Sequence, residues 1–174
     1  MATKPLEASP TDLNEVVGDA VCLARPEAEC TEVEVLTELQ PDMPPALVDR
    51  VPVRQSLRNV IQNAVQAAAT ARIDKRRVTV LTGTREAGEP IVRVSDNGEG
   101  ISQDAMTKVF DRFFTTKPGG SGIGLHLAKE IADVLGGRIS AERNPDRGMT
   151  FRFTLPLSAA EEYNEARQYC ICSG

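Results

Sequence analysis

No stretch of the chain approaches the roughly 20 consecutive apolar residues needed to cross a bilayer. The opening "MATKPLEASP" also lacks the apolar centre of a signal peptide. Both absences point to a soluble, cytoplasmic polypeptide. Lysine and arginine number 20 against 25 acidic residues, a net charge of -5, and never gather into a run that would serve as an electrostatic footprint for nucleic acid. Neither nucleic acid nor a membrane is therefore an expected partner. The four cysteines, Cys22, Cys30, Cys170 and Cys172, lie toward the two ends without paired CxxC spacing or a partnering histidine, and the chain has only one histidine, His126. Ordinary reduced thiols fit that placement better than zinc or a disulfide framework. No internal repeat is evident.

What is present suits one ordinary domain with some tail: 174 residues, 41% of them hydrophobic. Residues 1–10 have no periodicity and read as a linker or a cloning-derived end; residues 158–174 read as a polar tail, ending in "CICSG". Between them, Thr11 or Asp12 caps a helix whose apolar residues, Leu13, Val16, Val17, Ala20, Val21 and Ala24, form one face that stops before Pro26. "EVEVLTEL" alternates like a strand, and "QPDMPPALVDRVP" has prolines enough to read as a connection. Val53 to about Thr70 carries Val53, Leu57, Val60, Ile61, Ala64, Val65 and Ala68 at helical spacing. "RRVTVLTGT" and "PIVRVSD" predict an antiparallel pair. A short helix near 102–109, a helix from about 122 to 135, and strands near 138–143 and 149–155 complete an α+β, two-layer sandwich: a mixed, mostly antiparallel sheet covered on one face by helices.

Four segments carry candidate chemistry. Asn59 and Asn63 lie four apart on the second helix and so share a face. Asparagine is a mediocre helix former, so the pair is either an exposed polar edge or a source of amide oxygens that could complete a magnesium shell of water and phosphate. "VSDNGEGI" ends an apolar strand with Asp96, Gly98 and Gly100. Asn97-Gly98 is a turn dipeptide, while Asp96 could accept a hydrogen bond from an exocyclic amino group with the glycines admitting a flat ring. "VFDRFFTTK" holds Phe110, Phe113 and Phe114 and reads as a hydrophobic corner, with Phe110 in the core, or as the anchor of a mobile lid. Gly120, Gly122 and Gly124 precede the last helix, where backbone N–H groups and the helix dipole would favour an anion. No GK[ST] follows, so this is not a Walker loop, and no strand-turn-helix unit surrounds it, so it is not a dinucleotide fingerprint.

Taken in order, "NVIQNAVQAA", "DNGEG", "FFTTKPGGSGIGL" and "GMTFRFTLP" resemble the ATP-binding catalytic domain of sensor histidine kinases, in the wider family that includes gyrase, MutL and the ninety-kilodalton heat-shock chaperones. The resemblance spans about residues 11–157 and is nearest to the nitrogen- and oxygen-sensing kinases. It implies ATP and Mg2+ as ligands, with Asn63 as the magnesium-binding asparagine and Asp96 as the acceptor for the adenine amino group. Gly98, Gly100 and Ile101 would line the base pocket, with Thr150 near the adenine. Lys117 and the lid through Gly120, Ser121, Gly122, Ile123, Gly124 and Leu125 would meet the phosphates.

The same resemblance assigns Asn59 and Lys117 to catalysis, with Asn59 also a ligand-binding residue that would orient the phosphates or the metal. Water-activating ATPases of the family carry glutamate where Asn59 stands, and an amide cannot accept a proton at neutral pH, so slow hydrolysis is expected. Gln66 replaces a basic residue common after the asparagine motif, a loss that Lys117, Arg112 or Arg72 could offset. The expected partners are a separate histidine-bearing dimerisation hairpin and, through it, a response regulator. No such hairpin precedes Thr11, so the chain reads as an excised domain, monomeric alone, or as a kinase for a separate partner. A serine kinase of the anti-sigma type and a non-kinase ATPase are the alternatives. His126, with no acidic partner in its local sequence, is expected to neighbour the nucleotide or face solvent, and not to be the phosphoacceptor.

Overall fold

The structure is a computed structural model that describes residues 7–85 and 88–157; Cys170, Cys172 and the tail from Ser158 lie outside the described residues. Its elements in chain order are β1 (Ser9–Thr11), α1 (Leu13–Cys30), β2 (Glu34–Glu38), β3 (Ala46–Val48), α2 (Arg50–Ala69), β4 (Arg77–Thr84), β5 (Pro90–Asp96), α3 (Gln103–Met106), α4 (Gly124–Val134), β6 (Arg138–Arg143) and β7 (Met149–Thr154). Five strands form one sheet in the order β2-β4-β5-β7-β6, in which only β2 and β4 run parallel. The expected pair from "RRVTVLTGT" and "PIVRVSD" forms in register from Val78 opposite Asp96 to Thr84 opposite Pro90. Helices cover one face, as the apolar periodicity requires: Val78, Val80, Val92, Val94, Phe151 and Phe153 all turn into a core shared with α1, α2 and α4.

Helix α2 lies at the centre of that layer, packed on α1, α4, β4 and β5. Val53, Leu57, Val60, Ile61, Ala64, Val65 and Ala68 are all at most 2% exposed, so its apolar stripe is fully used. The helix starts earlier than its apolar pattern suggests. Asp49 caps it by accepting from Val51 N at 3.1 Å, and Pro52 falls in the first turn, where a missing N–H costs nothing. The segment read as a proline-rich connection therefore holds both β3 and the helix start. Likewise Ser9 and Pro10, read as part of a linker, belong to β1, which pairs with β3.

The largest departure from expectation is α1, which passes through Pro26 to Cys30. Pro26 is exposed, so the carbonyl that loses its helical donor faces water, while Ala28, one half-turn on, is buried and holds the last turn against the core. Tertiary packing here outweighs the local preference. Helices α3 and α4 are shorter than the segments expected near 102–109 and 122–135. Among the described residues no helix is long and apolar enough to cross a membrane.

If packing holds α1 together across an unfavourable residue, Pro26→Ala should stabilise the domain by about 2 kcal/mol, because the substitution restores a helix donor at an exposed site. Urea denaturation measures this, and an unchanged or lower midpoint would contradict it.

Candidate functional site

The second helix, the end of β5 and the segment between α3 and α4 enclose a cleft of about 280 Å3. Helix α2 supplies Asn59, Gln62, Asn63, Gln66 and Ala67 to its wall. These polar residues stand along the edge of the buried stripe, because positions 59 and 63, like 62 and 66, are one turn apart and flank Val60, Ile61, Ala64 and Val65. Asp96, Gly100 and Ile101 follow from β5, while Met149 and Phe151 on β7 form part of the floor. The lid segment contributes Phe114, Thr115, Thr116, Lys117, Gly120, Ser121 and Gly122, and the start of α4 adds Gly124 and Leu125. Of the residues that the resemblance assigns to nucleotide or metal, Gly98, Ile123 and Thr150 are not on the lining.

Asp96 is the last residue of β5 and only 3% exposed. Its Oδ1 accepts from Gly98 N at 2.8 Å, whereas Oδ2 is buried without a hydrogen-bond partner among the described residues. Burial pushes the carboxyl above its ordinary range, and the N–H groups of Gly98 and Met149 and the charge of Lys117 pull it partly back. A buried, unpartnered acceptor on a cleft floor is matched chemically by a ligand N–H donor. Gly98 serves that geometry from behind. A Cβ there would stand 2.7 Å from Ala67 O, so the turn after Asp96 can close against α2 only with glycine.

The opposite end of the cleft is basic. Lys117 reaches back from the lid, and its Nζ donates to Asn63 Oδ1 at 2.8 Å, Asn63 O at 3.0 Å and Gln66 Oε1 at 3.2 Å. Burial lowers the pKa of this ammonium, with Asp96 and Glu27 acting against the shift. Gln66 donates in turn to Glu27 Oε1 at 2.8 Å, and Gln62 to Glu27 Oε2 at 3.1 Å. Gln66 thus relays between Lys117 and the last turn of α1. The four-residue spacing of Gln62 and Gln66 signals a shared face, but nothing local indicates that Glu27 would meet them. Asn59 accepts from Gln55 Nε2 at 3.2 Å and directs its own amide to Gly124 O at 3.5 Å, tying α2 to the start of α4.

The glycine run ends at α4, whose first turn has no side-chain cap, since Ile123 stands at the cap position. Phe113 N donates to Gly122 O at 3.0 Å, which pins the phenylalanine segment to the base of the lid. Phe110 packs against the core with its ring edge-on to Phe151, while Phe113 is exposed beneath the Arg112 guanidinium at 4.9 Å. Arg112 and Arg72, considered as substitutes for a basic residue at 66, do not line the cleft. His126 is also turned away. Its Nδ1 lies 3.1 Å from Phe110 O, and Nε2 stands 3.5 Å from Glu130, so the histidine does have an acidic neighbour one helical turn on.

The groups ATP and Mg2+ can be tested against this chemistry. The orphaned Asp96 Oδ2 suits an exocyclic amino group, and the lid brings an ammonium and helix-start amides to the other end. Among the described residues no group of three or more His, Cys, Asp or Glu could hold a metal ion. A cation here would take Asn63 Oδ1 and otherwise oxygens not supplied by protein, which suits magnesium's habit of keeping water and phosphate in its shell.

A mixed five-stranded sheet under three helices, with a polar cleft closed by a glycine-rich lid, defines a two-layer nucleotide-type module. Residues 48–159 match the family model described as histidine kinase-, DNA gyrase B-, and HSP90-like ATPase, and the chain belongs to that family. It is 40% identical over 151 residues to the sensor protein FixL of Bradyrhizobium diazoefficiens, covering 86% of this chain and 29% of FixL. Among solved structures, full-length ShkA in complex with AMPPNP superposes with a TM-score of 0.78 at 25% identity, over 91% of this chain and 33% of that one. The catalytic domain of the histidine kinase ThkA, in a nucleotide-free form, gives 0.75 at 26% identity over 87% of this chain and 96% of that domain. The chain therefore spans under a third of FixL and almost the whole of the ThkA catalytic domain. Its catalytic fold is that of the sensor histidine kinases.

The raised pKa of Asp96 fixes the sign of a pH effect. Because the folded carboxyl titrates above the ordinary value of 3.8, its ionisation subtracts stability as pH rises through the folded value; below the ordinary value that penalty is absent. Without nucleotide, Asp96→Asn should raise the melting temperature at pH 7, and the gain should shrink as the pH is lowered toward 3.8. Thermal melts across that range check it; a gain that is constant with pH would show that the carboxylate charge is not responsible.

Proposed function

We propose that residues 11–157 form the ATP-binding catalytic domain of a two-component sensor histidine kinase, binding Mg-ATP and donating its γ-phosphoryl group to a histidine on a separate dimerisation hairpin. The observation that carries this reading is the buried, unpartnered Oδ2 of Asp96, placed across one cleft from a lid-borne ammonium. One end accepts a base amino group and the other neutralises phosphate charge. The AMPPNP in the ShkA complex supports the same ligand class. A cytoplasmic location, and a response regulator acting on the phosphorylated hairpin, follow from this reading; the isolated domain is monomeric.

In this mechanism Asp96 orients the base and Gly100 and Ile101 border it. Asn63 would hold the metal through its amide oxygen, and magnesium there would supply charge neutralisation at the phosphates. Asn63 would hold the cation through Oδ1, the oxygen that accepts from Lys117 Nζ at 2.8 Å in this structure, and Lys117 would place its charge at the phosphates. Gly120, Ser121, Gly122, Gly124 and Leu125 present the lid and helix start to the same anionic group. Thr150 lies outside the lining, its hydroxyl donating to Asn144 Oδ1, and Ile123 and Gly98 shape the backbone rather than touch the ligand. Asn59 holds the α4 start and takes no proton, so phosphoryl transfer rests on positioning, and water remains unactivated.

Two measurements test the reading. Calorimetry with ADP should show tight binding to the wild-type chain and a loss of about 10- to 100-fold in Asp96→Ala, the effect of removing a buried acceptor from its donor. Unchanged affinity would overturn the base-site assignment. With labelled ATP and an isolated histidine-bearing hairpin of a sensor kinase, acid-labile label should appear on the hairpin while hydrolysis without it stays far below several turnovers per second. Fast partner-free turnover would contradict the role given to Asn59.

A further inference from the structure

The turn between β6 and β7, residues 144–148, is built onto the backbone of Asp96 and its neighbours. The amide Nδ2 of Asn144 donates to Asp96 O at 2.9 Å and to Arg147 O at 3.1 Å. Its Oδ1 accepts from Thr150 Oγ1 at 2.6 Å, and that hydroxyl in turn lies 2.6 Å from Ser95 Oγ. Asn144 N donates to Gly148 O at 3.0 Å, closing the turn on itself. Arg147 Nε donates to Gly98 O at 3.2 Å. Gly148 has a φ of +86°, and a Cβ there would stand 2.0 Å from Asp96 O, so the turn can press against Asp96 only with glycine at this place. The β5–β7 ladder ends with Ser95 opposite Thr150, and one residue further on the Asn144 amide grips the chain instead.

This arrangement uses both capacities of an amide. Two main-chain carbonyls need donors and one hydroxyl needs an acceptor, a combination that Asn supplies and Asp or Leu does not. Thr150, in the same pattern, spends its hydroxyl inside the clasp and not in the cleft. With Oδ1 of Asp96 held by Gly98 N, fixing the main chain at Asp96 leaves Oδ2 no freedom to seek another direction.

We propose that Asn144 is a positioning residue for base specificity: by tying the Asp96 main chain to the β6–β7 turn it sets the direction of Oδ2, and with it the preference for a base that carries an exocyclic amino group. The inference rests on the adenine reading of Asp96 given above. Asn144 itself touches no ligand, and a merely structural role would weaken all nucleotides alike.

The discriminating experiment compares ADP with purine riboside diphosphate, which lacks the amino group, by calorimetry on the full chain. The wild type should prefer ADP by about tenfold or more, the effect expected of one buried hydrogen bond. Asn144→Asp keeps the size of the side chain but turns an acceptor toward Asp96 O. It should bind ADP about tenfold more weakly, leave the analogue within about twofold and so abolish the preference. In an Asp96→Asn background the same change should cost no further preference. Asn144→Ser, with its melting curve, takes the place of Asn144→Asp if that variant does not fold. Retention of the wild-type preference, or equal loss for both nucleotides, would overturn the proposal alone. A wild-type chain that binds the two alike would sink the base-site reading, and the proposal with it.

Discussion

The phase of helix α2 is the constraint on which the rest depends. Seven aliphatic residues from Val53 to Ala68 are buried between α1, α4 and the sheet, and no rotation of the helix could bury them otherwise. Once that stripe is seated, Asn59, Gln62, Asn63 and Gln66 have only the edge of the helix to occupy, and that edge is the wall of the cleft. Packing and chemistry thus share one element. The apolar contacts provide the stiffness that a site of hydrogen bonds needs, since each polar group here depends on partners held to within a fraction of an ångström.

Against this wall the cleft separates its charges. Asp96 lies at the end of a central strand, held by Gly98 N and backed by the β6–β7 turn, and carries an acceptor oxygen with no partner among the described residues. Lys117 arrives from the lid, a segment with few buried contacts, and finds its oxygens on α2. Burial opposes both charges, raising the carboxyl and lowering the ammonium, and each group partly offsets the shift of the other. The two ends are built differently, one on the end of a central strand and the other on a loop. The Glu27 contacts of Gln62 and Gln66 extend the basic end to the last turn of α1.

Much of the architecture was legible because it is periodic. The helical stripes of α1 and α2 and the alternation in β4 and β5 need only local spacing, and a strand pair joined by a short connection leaves few choices of register. The shared face of Asn59 and Asn63 followed from the same period. Local reading failed where a residue's own preference was outweighed. Pro26 argued for a helix end, yet Ala28 beyond it is buried. The prolines of 40–52 hid β3, and Ser9 and Pro10 carried no pattern because a three-residue strand is too short to show one. His126 was read without an acidic neighbour although Glu130 stands one turn on, a miss of the four-residue rule rather than of tertiary structure.

By itself, then, the chain's order of residues determined the long periodic elements, the faces they bury and the short motifs that carry oxygen, amide and glycine to their ends. Only the tertiary structure decided which of these meet. Lys117 finds Asn63 across 54 residues, Gln66 finds Glu27 across 39, and Asn144 grips Asp96 across 48. Spacing along a helix or strand repeats with a known period and can be counted. A contact between distant segments has no period, because it is fixed by how the aliphatic faces pack, and the polar partners go wherever that packing carries them.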